Sequence, residues 1–228
     1  MNGMFRGNRA RVVTWCVLMI ASAGLTGCFT SVAPFYEESQ IIQDARIEGR
    51  HENYIHSPPS KTGEGSKEGS VWTIRASEGE GKRGKYDVHV RDKEVSIKLI
   101  GTLFKVEEMV FLDLYPVTDS GVRFAPEATS ISEIMRLAFY SPRHVVWKVE
   151  LSDIGIKYSL PSFKNGTFSA ARQAPELSPH VTEHGILVLP GPAKESQKYL
   201  LRFANDESVF NYKGELKKKE EGTKRGEG

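Results

Sequence analysis

The sequence predicts a mainly β domain with two short helices, built as an antiparallel meander that closes into a barrel. Three observations lead there. About eight short segments alternate apolar and polar residues with period two, as strands with one buried face do. Most follow one another through short polar or glycine-rich connections, the pattern of a meander. A meander left open would present unpaired edges, and closure removes them. A two-sheet β-sandwich is the nearest alternative.

Taken in order, residues 29–43 form a docking segment with Phe35, Tyr36, Ile41 and Ile42 available to a core. Residues 46–52 give a first strand of thin signal. In 71–77, Trp72, Ile74 and Ala76 oppose Thr73 and Arg75; in 85–92, Tyr86, Val88 and Val90 oppose Asp87, His89 and Arg91. Residues 95–106 continue the alternation, with Val95, Ile97 and Leu99 on one face. The next strand, 109–117, is more apolar throughout and stops at Pro116, which has no N–H for a ladder. Residues 145–151 and 156–160 flank Ser152-Asp153-Ile154-Gly155, a hairpin turn. Residues 185–189 make a final apolar strand.

The first helix is announced by Ser130-Ile131-Ser132-Glu133, spaced as a capping box, with Ile131, Ile134, Met135 and Ala138 on one face. The second follows Gly191-Pro192, since proline is tolerated where the helix's first N–H groups are unpaired anyway. It reaches about residue 205, with Ala193, Leu200, Phe203 and Ala204 inward and Phe210 packing after it. Residues 57–70 and 78–84 are polar loops, and 213–228 alternates charge and ends in glycine, which predicts a disordered tail.

Composition narrows the function classes. The 228 residues are 39% hydrophobic and 26% charged, with a formal charge of +2 and two cysteines. That excludes a multi-span membrane protein, a strongly basic nucleic-acid binder and a disulfide scaffold. The positive surplus belongs to the leader, because residues 1–27 hold Arg6, Arg9 and Arg11 and no acid. Without them the formal charge is −1.

Residues 1–28 read as a lipoprotein signal. A basic start precedes a 14-residue apolar run at 12–25, too short for the roughly 20 residues that span a bilayer. The run ends in Leu25-Thr26-Gly27-Cys28, which resembles the lipobox of bacterial lipoproteins. The resemblance implies acylation of Cys28, cleavage before it and attachment to the cell membrane through lipid. Phe29 in place of Asp after the cysteine favours the outer membrane of a Gram-negative cell. The expected organisation is a signal peptide at 1–27, a lipidated tether at 28–44, a barrel at 45–212 and a tail at 213–228.

Catalytic motifs do not assemble. Gly79-x4-Gly84-Lys85 has the spacing of a phosphate-binding loop, but Tyr86 stands where a Ser or Thr is needed, and a strand follows instead of a helix. His180-Val181-Thr182-Glu183-His184 matches a zinc-peptidase string, yet Pro179 and Gly185 leave little room for its helix and no third ligand is evident. His180 and His184 are the residual metal candidates. Glu107-Glu108 reads as a solvated turn, since neighbouring strand residues point to opposite faces. Asp113, between Leu112 and Leu114, needs a partner if it faces inward, while period two groups it with Phe111 and Tyr115 on the other face. His144 starts a strand and is expected to make a local hydrogen bond. No catalytic residue, cofactor or nucleic-acid surface is expected.

The stretch from Leu103 to Pro116 (LFKVEEMVFLDLYP) resembles the central strand pair of a group of uncharacterised bacterial lipoproteins. Leu187-Val188-Leu189-Pro190-Gly191-Pro192-Ala193-Lys194-Glu195 is similar to the strand-to-helix junction of that group, although Pro190-Gly191 departs from its usual Thr-Ala-Pro-Thr. His144-Val145-Val146-Trp147 is similar to its His-led strand. The resemblance spans most of 41–210 and implies a lipocalin-like architecture. The expectation is therefore a non-enzymatic, lipid-anchored barrel that binds an apolar ligand or an envelope partner, with a structural or assembly role as the alternative and a zinc hydrolase behind both. Trp72, Tyr86, Trp147 and Tyr158 are the expected walls of a ligand cavity.

Overall fold

A computed structural model of the chain describes residues 29–54, 70–91, 95–117, 123–124, 143–161, 180–181, 187–207, 209–210 and 212–219. Alternation becomes strands wherever it was strong: β3 (Val71–Ala76), β4 (Lys85–Arg91), β5 (Val95–Val106), β6 (Met109–Pro116), β8 (His144–Ser152) and β9 (Gly155–Leu160). The weak first segment starts with a 3-10 turn at Ala45–Ile47 and becomes β2 (Gly49–Tyr54). Three short strands lack any alternation to announce them: β1 (Phe29–Ser31), β7 (Arg123–Phe124) and β10 (His180–Val181). The chain ends in β11 (Leu187–Leu189), helix α1 (Ala193–Phe203) and β12 (Tyr212–Lys218). The helix expected at 130–138 lies outside the described residues.

Strands β2 to β6, β8 and β9 pair in sequence order, and β12 enters antiparallel between β9 and β2. Pairing of β8 with β9 completes an eight-stranded closed barrel. The expectation of a tail from residue 213 is therefore corrected as far as Lys218. Only Leu216 of that segment points inward as an apolar side chain, so its hydrophobic pattern is nearly silent. Its place comes from backbone pairing, residues 212–217 with β9 and 215–218 with β2, which satisfies N–H and C=O groups that a tail would leave to water.

Two apolar clusters form, one on each side of the wall. The interior takes Trp72, Ile74, Tyr86, Val88, Ile97, Leu99, Leu112, Leu114, Trp147, Val149, Ile156, Tyr158 and Leu216, the inward members of the alternation. The second lies outside β5, β6 and β8, where Phe104, Phe111 and Val146 meet Leu187, Leu189, Tyr199, Leu200 and Phe203. That flank explains why β6 is apolar on both faces: one packs inward and the other lies beneath a covering layer. The cover is β1, β11 and α1. β1 runs parallel to β11 and antiparallel to the start of β8. Phe35 is fully buried in it, and Gln197 of α1 donates to the Phe35 carbonyl at 3.0 Å.

Two glycines hold the barrel shape. Gly84, at φ +67°, lies so close to Ile41 and Ile42 that a Cβ would overlap them. Gly214 faces Tyr158 across the β9–β12 pair, and the tyrosine ring fills the space a Cβ would take.

Candidate functional site

Three places merit a site's scrutiny: the barrel interior, a buried acid on its outer face and a groove on the β8–β9–β12 wall.

The four expected cavity residues all point inward and are buried. Three of them meet. The Trp72 and Trp147 rings stand 4.9 Å apart and tilted, and Trp147 stacks on Tyr158 at 4.5 Å. Two of the polar ends are occupied, as Trp72 Nε1 donates to Ser70 Oγ at 3.0 Å and the Tyr158 hydroxyl to Asn53 Oδ1 at 2.9 Å. Tyr86 is not part of this stack. It sits near the start of β4, where its hydroxyl accepts from the Asp44 amide at 2.9 Å and is covered by the 3-10 turn. His51 adds an interior imidazole, with Nε2 2.9 Å from the Ile47 carbonyl; burial holds its pKa below the usual histidine range. Tilted and stacked aromatic rings in mutual contact make a packed core.

Asp113 takes the outward option, in register with Thr102 on one side and Val146 on the other. It is 1% exposed, and its Oδ2 lies 2.7 Å from Nδ1 of His144. The expected local hydrogen bond of His144 is thus replaced by a cross-strand one, because antiparallel pairing of β6 with β8 puts both side chains on the same outer face. Burial raises the Asp113 pKa, and the bond to His144 partly offsets this. Tyr115 packs its ring 4.6 Å from the imidazole. Ser31 of β1 is the register partner of His144, which brings serine, histidine and aspartate to neighbouring positions. Ser31 is nevertheless fully buried, its hydroxyl donating to the Leu189 carbonyl at 3.2 Å with Ser196 Oγ at 3.3 Å. These contacts give the serine a structural task, joining β1, β11 and α1, and an acyl-transfer relay needs an accessible hydroxyl facing its base.

The outer groove encloses about 500 Å³. Its floor is two registered rows of outward side chains: Lys148, Ser159 and Lys213 in one, Glu150, Lys157 and Glu215 in the next. One wall is the turn that ends α1, from Ala204 to Glu207, together with Phe210. Lys148 Nζ donates to the Ala204 carbonyl at 3.0 Å and to Asn205 Oδ1 at 2.9 Å, a cation at the helix's negative end. Lys213 pairs with Glu207 at 2.9 Å, and both are largely exposed.

The remaining sequence candidates resolve simply. The 78–84 loop joins β3 to β4 as a hairpin with Gly79, Gly81 and Gly84 at positive φ. Glu107 and Glu108 are exposed in a two-residue turn. His180 begins β10, a strand paired with β11, while His184 and Cys28 lie outside the described residues. Among the described residues no three His, Cys, Asp or Glu side chains gather as a metal site, and no helix is long and apolar enough to cross a membrane.

No protein-family model matches the chain, and neither curated proteins nor solved structures give a match. The groove escaped the sequence because its rows are joined only when β12 inserts beside β9. Read linearly, Lys213, Glu215 and Lys157 are ordinary solvated charges.

Proposed function

We propose that the protein is a lipoprotein of the bacterial cell envelope, anchored through acylated Cys28, whose barrel works by binding at its outer surface. The observation that carries this reading is the position of Phe29. It directly follows the lipobox cysteine and is already a strand residue, paired with Leu187, while the next two residues are fully buried. An acyl group on Cys28 would thus join the sheet without a spacer and hold the barrel against the membrane surface. In a Gram-negative cell the outer membrane is favoured. Outer-surface binding fits better than an interior ligand because the expected cavity walls, Trp72, Trp147 and Tyr158, are spent on one another.

Metabolic labelling of the full chain with an alkyne fatty acid, followed by fractionation, tests the anchor. Wild type is expected in the membrane fraction with label on the processed form. Cys28→Ser is expected to lose the label and leave the membrane. Equal labelling of both chains would overturn the proposal.

A further inference from the structure

The groove on the β8–β9–β12 wall stands beside the point where the leader joins the barrel. Thr30 pairs with Val145, so Phe29 is level with Val146, and Lys148 lies two residues further along the same strand. At about 3.4 Å per residue that is roughly 7 Å. β1 and β9 share one edge of β8, the first pairing at its start and the second from Lys148 onward.

The floor's charge pattern suits a particular chemistry. Lys148 and Lys213 flank Ser159 from the two neighbouring strands, about 10 Å apart across two strand spacings. Lys213 can swing its flexible stem toward an anion above the serine, whose hydroxyl supplies a further donor, while Lys148, held by the Ala204 carbonyl and Asn205, adds its remaining N–H and its charge from the other side. One register step away, Glu150 and Glu215 flank Lys157; Glu150 is exposed, Glu215 lies 3.8 Å from Lys217, and the two carboxylates make this row the one suited to a cation. That step is about 7 Å between the backbone positions, and the flexible lysine and glutamate side chains can close it to the shorter phosphate-to-ammonium span of an ethanolamine headgroup. Ala204 and Phe210, buried in the flank cluster, form the apolar base of one wall. The existing partner of Lys213 does not block this use, because an ion pair that is 62% and 84% exposed is readily exchanged.

We infer that this groove is a phospholipid-headgroup site, selective for a headgroup carrying both a phosphate and an ammonium, and that it seats the barrel on the membrane to which Cys28 is attached. The choice of a lipid as occupant rests on the lipoprotein reading; the charge selectivity rests on the groove.

The test uses the purified full chain and two water-soluble probes below their micelle concentrations, dihexanoyl-phosphatidylethanolamine and dihexanoyl-phosphatidylglycerol, titrated calorimetrically. The first should bind at one saturable site and the second roughly tenfold more weakly, the effect of one lost charge contact. Lys213→Glu should weaken both probes. Glu150→Lys should weaken the ethanolamine probe alone and abolish the preference. Both substituted residues are exposed, and thermal melts matching wild type establish that the variants are folded. Absence of saturable binding, equal affinity for the two probes, or wild-type behaviour of both folded variants would overturn the inference. Intact-mass measurement of chain from membranes separates the two readings. An unacylated Cys28 with selective binding retained removes the anchor and leaves the groove, whereas an acylated chain that binds neither probe removes the groove.

Discussion

The two apolar clusters on either side of the barrel wall are assembled by different rules. The interior is made of residues that are neighbours through a meander, each strand contributing every second side chain to rings and aliphatics. The flank is made by segments far apart in the chain: Thr30 and Ser31 reach residues 157 and 158 positions away, and Gln197 reaches Phe35 across 162. The interior is mostly apolar, with His51 and Asn53 as buried polar members. The flank carries buried polar groups at its seams, Ser31, Ser196, Gln197 and the Asp113–His144 pair, each bonded to a second element. Such bonds add modest net stability but penalise misplacement of either partner. The barrel is thus held mainly by packing, and the covering layer is positioned by polar joints.

The largest expected effect tests that division directly. Trp147→Ala removes a ring in contact with both Trp72 and Tyr158, and truncations of this kind cost about 3–5 kcal/mol. Leu200→Ala removes a fully buried side chain from the flank and is expected to cost about 2–4 kcal/mol. The two should differ in kind as well as in size. Hydrogen exchange should show accelerated opening throughout the barrel strands for Trp147→Ala, but confined to α1, β1 and β11 for Leu200→Ala. Uniform acceleration in both variants would mean that the two clusters unfold as one unit.

The same contrast governs how far the fold is legible in the sequence. Strands facing a single core announce themselves by alternation, and β3, β4, β5, β8 and β9 lie within two residues of their expected ends. At β6 the outward members Phe111 and Asp113 are covered as well, so the alternation dissolves into a continuous run, visible in advance only as excess apolarity. β1 and β12 lack the pattern because Phe-Thr-Ser is too short to show a period and Tyr-Lys-Gly-Glu-Leu-Lys-Lys has only Leu216 as an aliphatic member. β1 is placed by pairing with β11, 158 positions away, and β12 by pairing with β2, more than 160 away, as well as with β9. The joint between Asp113 and His144 was half legible, since an acid in an apolar strand demands a partner while the strand that supplies it is fixed only by topology. The site on the outer wall depends on β12, and so it shared that strand's invisibility.

A smaller effect sharpens the interior side. Gly214 leaves room for the Tyr158 ring, and a Cβ there would come within 2.3 Å of the ring and hydroxyl. Gly214→Ala should therefore displace the tyrosine from Asn53 and cost about 1–3 kcal/mol by overpacking, despite the better strand propensity of alanine. Thermal melts of Gly214→Ala and of the double variant with Tyr158→Phe check the cause. If the steric clash dominates, the double variant recovers little, because phenylalanine keeps the ring; recovery to the Tyr158→Phe level would place the cost in the lost hydrogen bond instead.

The smallest effect belongs to the flank and has a definite sign with pH. Burial raises the pKa of Asp113 in the folded chain, so the native state binds this proton more tightly than the unfolded chain does. Its contribution is fully present below the unfolded carboxylate value, about 4, and is lost as pH rises through the raised folded value. Asp113→Asn keeps an oxygen to accept from His144 Nδ1 but carries no charge to desolvate. The variant should therefore match wild type to within about 1 kcal/mol in acid and become relatively more stable as pH rises through that window. Urea unfolding at a series of pH values reads this difference. A gap that widens toward acid would mean that the charged carboxylate is the stabilising form, and that His144 outweighs burial in holding β6 to β8.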